Sequence, residues 1–132
     1  MAKIPPEVME LFNTPDATKV MGTVDKNGIP NVVPLGSIRA VSDDTITFME
    51  MFHIKTKENL LSNKKATVLA VKGMKAYQIK GTFTGYTSSG PLFDNMYKVS
   101  MEKFKLPIKS VGTIKVDAVY SCIPGENSRK LA

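Results

Sequence analysis

The chain has no tryptophan, one cysteine and one histidine in 132 residues, and each scarcity removes a class of chemistry. Cys122 alone cannot close an internal disulfide, and one cysteine with one histidine falls short of the ligands of an ordinary structural zinc site. Any Ser-His-Asp or Cys-His system has to pass through His53, yet no nucleophile motif such as G-x-S-x-G accompanies it. Neither hydrolytic catalysis nor a metal centre is expected. Apolar runs are short as well. None approaches the ~20 residues that span a bilayer, and the first ten residues, with Pro5, Pro6, Glu7 and Glu10, lack the basic start and apolar run of a secretion signal. The cytoplasm is the expected compartment.

The net charge is +6, but of 18 basic residues only Arg39 and Arg129 are arginines, and no block of five like charges occurs. Arginine reads phosphates and guanine edges bidentately and tryptophan supplies stacking platforms, so dedicated nucleic-acid binding is not expected. A small anionic ligand suits the charge better. With 42% hydrophobic and 23% charged residues, the chain has the composition of one globular domain over residues 1–132, long enough to build a core without staples.

Turn residues divide the chain into about six strands and three short helices, which predicts a mainly β, mostly antiparallel barrel. Pro5 to Phe12 reads as an opening helix with Val8, Leu11 and Phe12 in a stripe. Ala17 to Asp25 alternates as the first strand, with Lys19, Met21 and Thr23 on one side and Val20, Gly22 and Val24 on the other. After Asn27-Gly28 the second strand runs from Pro30 to Ile38, and Pro34 within it indicates an edge, a bulge or an interruption. Thr45 to Met51 forms the third strand, a helix follows from Lys55 to near Asn63, and Ala66 to Val71 is the fourth. Ala76 to Thr87 is the longest strand, bent at Gly81 and Gly85. A helix then starts at Pro91 with Leu92, Phe93, Met96, Tyr97 and Val99 buried, and Gly112 to Cys122 alternates with Ile114, Val116, Ala118, Tyr120 and Cys122 on one face.

The stretch from His53 to Leu61 places a lysine and a hydroxyl where a strand runs into a helix. Free N–H groups and the positive end of the helix dipole favour an anion there, and Lys55 and Thr56 add a charge and a donor. A phosphate fits this chemistry; the alternative is that Thr56 caps the helix and that Lys55 and Lys57 are merely solvated. Asp43, Asp44 and Glu126 fall in turns, and no paired acids are evident. A phosphate site without catalytic side chains suggests a bound cofactor that carries the chemistry.

Four stretches in order, Asn27 to Ser37, Phe52 to Leu60, Tyr77 to Thr82 and Val119 to Gly125, resemble the FMN-binding split-barrel proteins related to pyridoxamine-phosphate oxidase. The resemblance covers nearly the whole chain. It implies a six-stranded antiparallel split barrel, a homodimer, and FMN in a groove between the subunits. By that resemblance Val33, Pro34, Leu35, Gly36 and Ser37 lie along the isoalloxazine and ribityl chain, and His53 and Ile54 pass near the ribityl. Lys55, Thr56 and Asn59 match the phosphate-binding positions. Gln78 or the Lys105-Leu106-Pro107 loop reaches the flavin from the second subunit.

Three functional readings follow. The chain is an FMN-dependent oxidoreductase or flavin reductase using NADH or NADPH, a non-catalytic FMN-binding electron carrier, or a basic β-barrel binding module without flavin. True pyridoxamine-phosphate oxidases close their substrate site with a C-terminal segment containing tryptophan, arginine and histidine. Past Cys122 this sequence has only Arg129 and no histidine. We therefore predict little oxidation of pyridoxamine phosphate by the FMN-loaded protein, and saturable hydrogen peroxide production with that substrate would contradict it.

Overall fold

Two prolines open the first helix, where a missing N–H costs nothing, and α1 (Pro6–Phe12) buries Val8, Leu11 and Phe12 as the apolar spacing requires. The computed structural model describes residues 2–50, 53–126 and 129–132. After α1 come β1 (Thr18–Val24), β2 (Pro30–Pro34), β3 (Arg39–Ala40), β4 (Thr45–Glu50), α2 (Ile54–Asn63), β5 (Lys65–Lys72), β6 (Lys75–Thr87), α3 (Pro91–Lys103) and β7 (Ser110–Ser121). The strands form one antiparallel sheet in the order β2-β1-β5-β6-β7-β4-β3, rolled as a split barrel around a core that includes Phe12, Met21, Ile38, Ile46, Ile79 and Ile114. A smaller cluster, Met49, Met96, Ile108 and Val111, lies under α3.

The strand count is seven, not the expected six. The second strand does not continue from Pro30 to Ile38; it ends at Pro34, and the chain pairs again only at Arg39–Ala40 against Thr47 and Ile46. Proline cannot donate to a ladder, so the strand stops where Pro34 stands. Between them, residues 35–38 carry the chain from one edge of the sheet to the other. Leu35 N–H donates to the Lys19 carbonyl of β1 at 2.9 Å, and Met49 N–H of β4 donates to Ser37 Oγ at 2.9 Å. Backbone and side-chain bonds, not a strand pair, close this seam.

The two glycines of β6 sit at its irregularities. The β6–β7 register shifts between Lys80 and Gly81 and again between Phe83 and Gly85, as expected for a long strand that must bend. The first shift inverts β7. Gly81 pairs with Val116 while Lys80 pairs with Ala118, so Asp117 is an extra residue and the inward side changes phase. Ile114 and Val116 are buried before it, and Val119 and Ser121 after it. The expectation that Ala118, Tyr120 and Cys122 share the buried face with Ile114 is thereby corrected, and Cys122 is half-buried rather than core.

Three smaller expectations also shift. The helix expected from Lys55 starts one residue earlier, at Ile54, and ends at Asn63, followed by Lys64 in the left-handed conformation with φ 67°. Tyr97 is 38% exposed, and Ser100 occupies the buried side of α3 instead, its Oγ donating to the Leu106 carbonyl at 2.7 Å. Met51, expected at the end of the third strand, and Phe52, within the family-like stretch, lie outside the described residues.

Gly81 tests the bend. A Cβ there would stand 2.6 Å from the Lys115 carbonyl oxygen, a backbone atom that cannot simply rotate away. Gly81→Ala is expected to destabilise the barrel by roughly 1–3 kcal/mol, the usual cost of overpacking, seen as a lower urea midpoint at unchanged slope.

Candidate functional site

The site is built at the entrance of α2, where β4 delivers the chain to a helix whose first hydrogen bond runs from Lys57 N–H to the His53 carbonyl at 3.0 Å. The N–H groups of Ile54, Lys55 and Thr56 precede that bond and have no acceptor within the helix. Among the described residues, no side chain caps the turn. Thr56 is the third helical residue, not a cap, so the capping alternative is corrected. It is only 2% exposed, and Asn31 Nδ2 of β2 donates to its Oγ1 at 3.2 Å. One turn on, buried Asn59 donates from Nδ2 to Thr23 Oγ1 of β1 at 3.0 Å.

These bonds dock the helix start on the β1–β2 hairpin and frame a cavity of about 320 Å³ lined in part by Asn31, Pro30, Lys55 and Asn59. Lys55 is exposed at its rim. Two carboxylates line the same cavity and oppose an anion. Asp25 Oδ1 already accepts the N–H groups of Asn27 and Ile29 at 2.8 and 2.9 Å, which holds it in the hairpin turn. Glu58 is exposed, where water screens its charge.

His53 lies on the other side of the helix start, lining a cavity of about 340 Å³ with Glu50, Ile54, Lys57 and Lys109. Glu50 is buried. Its Oε1 accepts from Ser110 Oγ at 2.6 Å and its Oε2 pairs with Lys57 Nζ at 2.9 Å. Burial pulls its pKa up, but the bonds from Lys57 and Ser110, with the Lys57 and Lys109 charges, outweigh this and hold the carboxyl below its ordinary value. Lys57 Nζ also stands over the Tyr86 ring, 5.5 Å from its centroid. Burial, assisted by the Glu50 charge, pushes the Tyr86 hydroxyl up to about 12.

The remaining predicted residues divide. In the seam, Pro34 and Gly36 are exposed and Val33 and Ser37 are half-buried. Leu35 points into the core, and its N–H is spent on Lys19, so it can offer a ligand little but its carbonyl. Gln78 is not among the residues lining the Lys55 cavity. It lies on the outer sheet face in a cross-strand row running Pro34, Val20, Leu69, Gln78, Tyr120. The same face carries an apolar groove of about 460 Å³ lined in part by Gly22, Val24, Val32 and Thr67. Residues 105–107 form an exposed loop after α3.

The family model described as pyridoxamine 5'-phosphate oxidase matches residues 4–122. The chain belongs to this family. Its fold is similar to that of HupZ from Group A Streptococcus, 27% identical, with a TM-score of 0.80 over 92% of this chain and 96% of that one. An FMN-binding protein from Syntrophomonas wolfei subsp. wolfei is 19% identical, with a TM-score of 0.80 over 86% and 82% of the two chains. HutZ, the heme storage protein from Vibrio cholerae, is 14% identical, with a TM-score of 0.67 over 90% and 94%. The last two likenesses are of fold alone. A search of curated proteins finds no match. Among the described residues, no helix is long and apolar enough to cross a membrane.

Sequence reasoning missed Asn31, Thr23, Glu50 and Ser110 as parts of this helix-entrance site. Asn31 lay within the family-like stretch, and alternation put Thr23 on the side of Met21, but nothing local announces the Glu50–Ser110 bond across 60 residues. The Glu50 carboxyl, lower in the fold than in the unfolded chain at about 4.3, stabilises the protein above that value and loses the contribution as pH falls through its folded pKa. Glu50→Gln is expected to unfold at lower urea than the parent at pH 7, with the gap narrowing below about pH 4. A gap independent of pH would show that Glu50 acts by shape alone.

Proposed function

We propose that residues 1–132 act as one FMN-binding domain, working as an oxidoreductase or flavin reductase with NADH or NADPH as electron source. The carrying observation is the α2 entrance: first-turn N–H groups without an acceptor in the helix, Lys55 and Asn59 lining the cavity, and Thr56, which does not line it, bonded to Asn31, which does. This donor set fits a phosphate. Thr56 Oγ1 accepts from Asn31 and keeps its own hydrogen to donate, while Lys55 is among the salt bridges of no described carboxylate.

When bound, FMN supplies the electron-transfer chemistry that the side chains lack. The chain's own part is to bind and orient. Lys55, Thr56 and Asn59 take the phosphate end, His53 and Ile54 flank the ribityl, and the backbone of Val33, Pro34, Leu35, Gly36 and Ser37 meets the ring. Gln78 belongs to a second subunit's contribution, since it faces outward on the sheet. The apolar groove on that face supports a homodimer, because such surface is costly to leave in water. The electron-carrier reading is favoured by one observation: Glu50 and Lys57, which line the cavity beside His53, are tied to each other.

Titration should quench FMN fluorescence, and the complex should sediment as a dimer. No binding at tens of micromolar would overturn the flavin reading, and a Soret band in the purified protein would point to heme instead. Lys55→Ala removes a charge-assisted hydrogen bond, expected to weaken FMN about ten- to a hundredfold while leaving riboflavin, which lacks the phosphate, almost unchanged. Equal loss for both ligands would return Lys55 to the solvated surface.

A further inference from the structure

Lys19 is buried to 6% exposure in the middle of the seam, and the mechanism above does not use it. Its ammonium donates to the Ile38 carbonyl at 3.0 Å and the Phe12 carbonyl at 3.1 Å, while its own carbonyl accepts from Leu35 N–H at 2.9 Å. One residue thus grips both ends of residues 35–38. The second acceptor, Phe12, closes α1, where unsatisfied carbonyls and the negative end of the helix dipole favour a cation. Asn13, next in the chain, adds two bonds to the far side of the seam: Nδ2 to the Ala40 carbonyl and Ala40 N–H to Oδ1, both at 2.9 Å.

Among the described residues, no carboxylate is within salt-bridge distance of Lys19. Burial lowers its pKa, and the positive charges of Arg39 and Lys103 lower it further. A buried ammonium held only by carbonyls is an expensive way to fill core space, and an apolar side chain of the same length would avoid that cost. What methionine cannot do is bond Ile38 and Phe12 together.

We propose that Lys19 is a positioning residue: a charged clamp that holds residues 35–38 to α1 and so shapes the backbone that receives a ligand's ring system. The part concerning the ligand rests on the flavin reading; the clamp itself does not. Leu35 and Ile38 anchor the ends of the segment, which leaves Gly36 exposed between them. Loosening either end therefore disorders the ring side of the site without touching Lys55.

Three measurements test this. In the unmodified protein, limited acetylation read by mass spectrometry should leave Lys19 the slowest-reacting lysine; labelling as fast as exposed Lys26 or Lys98 would overturn the clamp. In the ligand-free Lys19→Met variant, amide exchange across residues 35–40 should rise about tenfold, the equivalent of one hydrogen bond to a charged group, with β5, β6 and β7 unchanged and Lys19→Arg partly restoring protection. No local rise, or one spread evenly over all strands, contradicts it. Lys19→Met should also weaken FMN and riboflavin by the same factor, unlike Lys55→Ala. Weakening of FMN alone would overturn the ring-side assignment, whereas failure of the unmodified protein to bind either flavin would overturn the flavin reading and leave the exchange result to decide the clamp.

Discussion

A sheet rolled into a barrel has two edges, and here they are not paired with each other. β2 and β3 are the outermost strands and also consecutive in the chain, so four residues must cross the gap. Buried polar groups at that crossing need partners that a ladder would otherwise have supplied. Lys19, Asn13 and Ser37 bind it to its surroundings through an ammonium, an amide and a hydroxyl, each bonded to backbone. The price of this closure is polar burial. What it leaves behind is a stretch of backbone at the surface that is fixed at both ends and free of neighbouring strands.

The same economy operates at α2. The helix entrance is held by side-chain amides and hydroxyls on one side, Asn31 to Thr56 and Asn59 to Thr23, and by an ion pair on the other, Lys57 to Glu50. Neither set consumes the first N–H groups of the helix or the Lys55 ammonium. Thus the helix is positioned by Thr56, Lys57 and Asn59, while the entrance itself keeps its donors. A protein with a net charge of +6 and little arginine presents here a localised, directional site rather than a broad basic surface.

Much of this was legible in the sequence because it depends on local physics. Alternation located the strands, the prolines located the starts of α1 and α3, and Pro34 marked the interruption that makes a seventh strand necessary. Gly81 and Gly85 marked the two register shifts of β6: at Gly81 the missing side chain lets the Lys115 backbone approach, and at Gly85 the backbone takes a φ of 136° that other residues rarely adopt. The strand-to-helix junction at Lys55 was visible from the change of periodicity, and the structure adds which donors there remain unspent.

Other features were decided only by tertiary structure. A period-2 pattern says which residues share a face but not which face is inside, so nothing local told that Lys19, with Met21 and Thr23, turns inward while Val20 and Val24 turn out. Nor does it survive an inserted residue: Asp117 opposes no partner in β6, and the pattern of β7 inverts beyond it. The bonds that frame the site join residues 25, 36 and 60 positions apart, and each exists because the sheet brings its ends together. Composition and local periodicity therefore determined the barrel and the anion-favouring helix entrance. Pairing over long separations, which no short window of sequence encodes, decided what holds that entrance in place and why a lysine is buried in the seam.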